Sequence, residues 1–180
     1  LDENLRALHT LCKELDPTRL TTIAQFFKME ANHPHTDITD VQGVNYYFVS
    51  REQFQELIRQ DAFVEYDYHM ENYYGTLKSE VLNKTRLGNM ILDVEPKGAL
   101  KIRQIYPEAT LIFIDAPSVQ VLEDRIRGRG DTNEEQIRVR LERARWELSQ
   151  KDKYDHVVVN DVLDDCVAQV LRIISDKLDK

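Results

Sequence analysis

The chain has 180 residues, 42% hydrophobic and 31% charged, with a formal net charge of −8. One globular domain with a sizeable core, with room for a small appended lobe, is the default at this length. The negative charge argues against binding nucleic acid or an anionic membrane through the whole surface, and no apolar run reaches the ~18 residues of a membrane span.

Residues 1–31 read as two helices. Leu5, Leu8, Cys12 and Leu15 share one face, Asp16-Pro17 makes a joint, and Leu20, Ile23, Ala24 and Phe27 share a second face. This predicts an N-terminal helical hairpin, used for packing or else for a homodimer or protein partner. Residues 32–42 are polar and loop-like. His33, His35 and Asp37 alternate there, but a solvated loop is the better reading than a metal site. Cys12 and Cys166 sit in apolar helical patterns with no metal-like spacing, which predicts buried free thiols in a reduced, cytoplasmic setting.

The stretch Gly43–Thr76, GVNYYFVSREQFQELIRQDAFVEYDYHMENYYGT, is dense in tyrosine and carboxylate. Val44–Ser50 and Ala62–Tyr68 alternate in character and flank an amphipathic run with Phe54, Leu57 and Ile58 on one face. Ser50 followed by Gln53 is a capping-box pattern. Phenol hydroxyls suit phosphate oxygens, and a carboxylate can accept two hydrogens from one edge of a guanine. The plainer reading is a half-buried sheet with packed rings and wet hydroxyls.

Beyond a helical run at Lys78–Arg86, the pattern changes. Met90–Val94, Thr110–Ile114 and His156–Val159 are short and apolar. Helical runs near 97–106, 118–127, 134–151 and 162–178 alternate with them. Buried strands separated by helices predict an α/β fold, a parallel sheet with helices on both faces. Asp93 and Glu95 lie at a strand end, where open parallel sheets bind ligands. They can orient a purine edge, hold water around Mg²⁺, or cap the next helix. Arg125, Arg127 and Arg129 lie in RIRGRG, with Arg138 and Arg140 further on. Such guanidinium groups can neutralise a transferring phosphoryl group. The same residues also fit an RG patch for RNA or a solvated helix face, with Glu134, Glu135 and Arg138 at ion-pair spacing.

From Gly43 to the C-terminus the chain resembles guanylate kinases. The likeness rests on the tyrosine-rich stretch and on ILDVEPKGALKIRQ, LIFIDAPS, RIRGRGDTNEEQIRVRL and YDHVVVND, in the family's order. It implies a P-loop kinase-like core, a small mixed GMP-binding lobe at 43–78, and a core with lid at 79–180, the lid at about 125–140. Residues 1–42 would be a separate helical segment of the same compact domain. The implied activity is ATP-dependent phosphorylation of GMP to GDP with Mg²⁺, in purine metabolism. Tyr46 and Tyr74 would bond the GMP phosphate, Glu65 the guanine N1 and N2 hydrogens, and Thr76 the base edge. Glu95 stands where the family usually has Asp, and Asp93 would lie near Mg²⁺ and phosphate. Arg129 and Arg140 match the lid arginines on the ATP phosphates, and Asn160 matches the region beside adenine.

Such a kinase needs a phosphate loop, GxxxxGK followed by Ser or Thr, near its start. The first glycine here is Gly43, and no strand with a Gly-rich loop is read before it. The family's two phosphate-gripping arginines would precede the GVNYYF segment, yet residues 31–42 hold no arginine. The N-terminal third is altered or incomplete relative to an active kinase, or helices replace the ATP-binding start. The competing function class is an inactive guanylate kinase-like module that binds nucleotide or phosphopeptide. A third reading is a nucleotide-family fold kept for the partners of its N-terminal helices.

Overall fold

The computed structural model describes residues 20–22, 49–69, 72–86, 88–128 and 134–179. They belong to two compact units, one within Cys12–Ala109 and the other taking in Thr110–Lys180. Among the described residues no helix is long and apolar enough to cross a membrane.

The first unit begins with β1 (Leu20–Thr22), which pairs in parallel with β4 (Asn89–Ile91), Leu20 opposite Asn89 and Thr22 opposite Ile91. This corrects the expected second helix at its start and supplies a strand ahead of Gly43. The helical reading rested on the spacing of Leu20, Ile23, Ala24 and Phe27. Thr21 and Thr22 are β-branched, and pairing with a strand almost 70 residues away (Leu20 with Asn89) overrides local periodicity. The rest of the proposed hairpin, Cys12, and the loop with His33, His35 and Asp37 lie outside the described residues.

Helix α1 (Arg51–Arg59) starts as its sequence predicts. The Ser50 hydroxyl accepts from the Gln53 amide at 3.2 Å, and the Ser50 amide donates to Gln53 Oε1 at 2.8 Å. Its apolar face buries Phe54 completely, stacked on Phe63 with centroids 4.4 Å apart. Tyr73, Leu57 and Ile58 close that cluster. Burying a Phe side chain contributes roughly 1.5–3 kcal/mol, and Leu57 and Ile58 add to the same face of α1.

Strands β2 (Phe63–His69) and β3 (Asn72–Leu77) form an antiparallel pair. Phe63 faces Leu77 and Glu65 faces Thr76, so Val64 is an extra residue, a β-bulge. The bulge shifts the alternation by one residue, so that Phe63 and Tyr66 share a cluster. Phe63 packs on Phe54, whereas Val64 packs with Val81 and Ile102 in a separate cluster with Met90, Leu92 and Val94. Val81 comes from α2 (Lys78–Thr85) and Ile102 from α3 (Pro96–Ile105). Pro96 opens α3, where its missing N–H costs nothing.

In the second unit, β5 (Ile112–Asp115) pairs in parallel with β6 (His156–Val159). Helices α4 (Val119–Arg127), α5 (Glu134–Leu148) and α6 (Leu163–Leu178) complete it. Ser118 caps α4 through the Val121 amide at 3.2 Å. Cys166 and Val170, one turn apart on α6, pack against Val158 and Ile112. Cys166 is a buried free thiol, as expected, and burial pushes its pKa up.

Candidate functional site

Glu65 is the most unusual side chain of the first unit. It is a carboxylate only 5% exposed, set among apolar strands and helices. The β2–β3 register places it directly across from Thr76, itself 1% exposed, and the Thr76 hydroxyl donates to Glu65 Oε1 at 2.7 Å. The bulge at Val64 sets this register, so the feature that disturbs the pleat also brings the two polar groups together. Burial raises the Glu65 pKa, while the Thr76 bond and the Lys101 charge oppose the shift. Lys101, on α3, lies with its ammonium 4.6 Å from the centre of the Tyr66 ring. The result is an acceptor oriented by the donated Thr76 hydroxyl, with desolvation sharpening any hydrogen bond it makes.

The other candidates on this unit fall nearby in sequence and differ in setting. Tyr74 is half-buried on β3, opposite Asp67. Asp93 lies two residues beyond β4, half-buried, and burial raises its pKa. Glu95 occupies the N-cap position of α3 with extended backbone, but its side chain makes no cap hydrogen bond. Helix capping, one of the readings of this acid, is therefore not what its side chain does. Tyr46 lies outside the described residues.

On the second unit, Asn160 follows β6, and its amide donates to the Asp115 carbonyl at 2.8 Å. That places it at the carboxyl end of a parallel strand pair, the position where such sheets carry ligands. Asp115 also accepts from Lys151 Nζ at 3.3 Å and from the Ala116 amide at 2.8 Å. Arg140 is half-buried on α5. Two other arginines of the RG-rich region are engaged by acids at the surface. Arg127 donates to Glu123 and, beyond its own helix, to Glu134 at 2.8 Å. Arg138 donates to Glu135 at 2.6 Å and to Glu142 at 3.3 Å. The expected Glu135–Arg138 pair forms, whereas Glu134 turns to Arg127 instead. Arg129 lies outside the described residues.

Two participants were not singled out from the sequence. Gly98, on the first turn of α3, lies so close to Glu65 that a Cβ there would stand 2.8 Å from Oε2. Lys101, one turn later, supplies the positive charge named above. The only sequence signal for Gly98 was a glycine inside a helical run, a place where alanine is the better helix former.

With this geometry in place, the likeness to known proteins is consistent. The family model for guanylate kinase matches residues 21–177. The chain is 39% identical over 141 residues to a guanylate kinase of Chlorobium luteolum, covering 77% of this chain and 72% of that one. It is 48% identical over 123 residues to a guanylate kinase of a Nostoc species, covering 68% of this chain and 62% of that one. A crystal structure of guanylate kinase from Anaplasma phagocytophilum superposes with a TM-score of 0.72 at 21% identity, over 97% of this chain and 82% of that one. This last likeness shows the fold, a P-loop kinase-like α/β architecture with parallel strands and flanking helices. The chain belongs to the guanylate kinase family.

Proposed function

We propose that this chain recognises GMP through the β2–β3 hairpin and directs ATP-dependent phosphorylation of GMP to GDP, a step of purine nucleotide metabolism in a reduced cytoplasmic setting. The observation that carries the reading is the buried Glu65 carboxylate fixed by Thr76. An anionic acceptor kept out of water has a use if a ligand brings donors to it, and guanine brings two on one edge, N1–H and N2–H. Adenine offers neither on that edge, so a buried unmatched acceptor would reject it. Tyr46 and Tyr74 would serve the GMP phosphate, Thr76 the base edge, and Glu95 would extend toward the base.

The chemistry assigned to the rest of the chain is charge neutralisation. A GMP phosphate oxygen attacks the γ-phosphorus of ATP in line, the bond to the bridging oxygen breaks, and GDP and ADP result. Arg129 and Arg140 would steady the charge on the transferring group, and Asn160 would lie beside adenine. Mg²⁺ would travel with the triphosphate and supply further neutralisation. It needs one or two carboxylates and the phosphates rather than a protein cage. Asp93 is the carboxylate assigned to that region.

The 180 residues contain no GxxxxGK followed by Ser or Thr. This favours a second reading, a binding module for nucleotide or phosphopeptide that does not catalyse. GDP formation from GMP, ATP and Mg²⁺ separates the two, with GMP binding followed by calorimetry on the same sample. Turnover in the ordinary kinase range of ~1–100 s⁻¹ supports the kinase. GMP binding without turnover supports the module, and no GMP binding by the unmodified chain refutes both uses of Glu65.

A further inference from the structure

Helix α3 lies close against the Glu65 side chain of β2 at Gly98. A Cβ at that position would lie 2.8 Å from Glu65 Oε2 and 3.2 Å from both Cδ and Cγ. Real Cβ atoms do not stand that close, so something must move. On one side is helix backbone packed through Ala99 and Ile102, which are buried. On the other is the end of a side chain, whose carboxylate is the less constrained of the two. The carboxylate would yield first, and in yielding it would leave the 2.7 Å bond from Thr76.

We propose that Gly98 is a positioning residue for guanine recognition, its missing side chain making the slot that holds the Glu65 carboxylate in its working orientation. The inference rests on the reading of Glu65 as the guanine acceptor. The slot has two walls of different kinds. Thr76 fixes Oε1 by a hydrogen bond, and the bare Cα of Gly98 lets Oε2 lie against the first turn of α3. That turn presents the positive end of the helix dipole, which favours an anion beside it. Any side chain at 98 would therefore exclude the carboxylate from the one place where both walls act. Alanine is the better helix former, so local helix propensity gives no reason for a glycine here.

The test compares GMP with IMP, which keeps N1–H and lacks the N2 amino group, by calorimetric titration of the full chain. The variants are Gly98→Ala, Glu65→Gln and the two combined. The preference for GMP over IMP should drop roughly tenfold or more in Gly98→Ala, the loss of one charge-assisted hydrogen bond. The combined variant should lose little beyond Glu65→Gln alone, because both changes act on one group. Loss of general fold quality would instead lower GMP and IMP binding together. An unchanged preference in Gly98→Ala, with a reduced one in Glu65→Gln, overturns the role of Gly98 and leaves that of Glu65. An unchanged preference in Glu65→Gln removes the reading of Glu65 and this proposal with it. Should Gly98→Ala fail to fold, its thermal midpoint in a Glu65→Ala background decides. Recovery there supports the contact, and no recovery overturns it.

Discussion

Replacing Glu65 by glutamine should stabilise the protein at neutral and alkaline pH while weakening GMP binding. The carboxylate is 5% exposed, and burial raises its pKa above its ordinary value near 4.5. An acid whose folded pKa lies above its unfolded one binds more protons folded than unfolded between the two values. Its stabilising contribution is complete below the unfolded pKa and is lost as pH rises through the folded pKa. The substituted side chain would carry no charge to bury and would still present an amide oxygen to the Thr76 hydroxyl, now 2.7 Å from Oε1. The charge-assisted bond gives way to a neutral one, a loss of about 1 kcal/mol. Against it stands the several kcal/mol that burying an ionised group costs. The net gain is on the order of 2 kcal/mol at pH 8, and each kcal/mol raises the thermal midpoint by about 2–4 °C for a chain of this size. Urea unfolding of both proteins from pH 4 to 8 measures it. The gap should open as pH rises and close toward pH 4. A Glu65→Gln protein equally destabilised at pH 5 and pH 8 would refute the argument, because it would mean the carboxylate is not held against its own desolvation.

Thr76→Val keeps the shape of a fully packed side chain and removes only the hydroxyl. It should cost about 1.5–3 kcal/mol at pH 8, raise the Glu65 pKa further, and weaken GMP binding, all read by the same denaturation and titration series. Gly75→Ala would place a Cβ 2.9 Å from the Phe63 ring and 3.0 Å from the Glu65 backbone carbonyl. Backbone cannot yield as a side-chain end can, so the expected loss is about 1–3 kcal/mol in the thermal midpoint, without the selective loss of the GMP over IMP preference assigned to Gly98. Ser50→Ala breaks the capping box of α1 and should cost about 0.5–2 kcal/mol, with the ratio of GMP to IMP binding unchanged.

Some of this protein was legible residue by residue. Ser50 and Gln53 announced the start of α1 because a capping box is local, and the four residues that form it carry all of its chemistry. The strand His156–Val159 and the helix around Cys166 and Val170 followed from short-range periodicity. Glu65 and Thr76 were legible as candidates because their residue types and order match a known family. Their distance was not, since register fixes it and a bulge at Val64 fixes the register. A bulge has no signature of its own in the sequence: Ala62–Tyr68 reads as a segment of alternating character, and the adjacent apolar pair Phe63-Val64 does not say which residue is the extra one. The strand Leu20–Thr22 sits in a stretch with helical spacing and is not marked there, because its partner, Asn89–Ile91, lies far along the chain, and pairing energy has no local signature.

The sequence by itself determined the family, the alternation of strand and helix, and the residue types available for binding a guanine nucleotide. Those properties live in single residues and short spacings. Only the tertiary structure decided that the Glu65 carboxylate is buried rather than wet, that a hydroxyl holds one of its oxygens, and that a glycine from a distant helix makes room for the other. Each depends on the meeting of segments from β2, β3 and α3, and the energy of a buried charge is set by what surrounds it rather than by the residue that bears it.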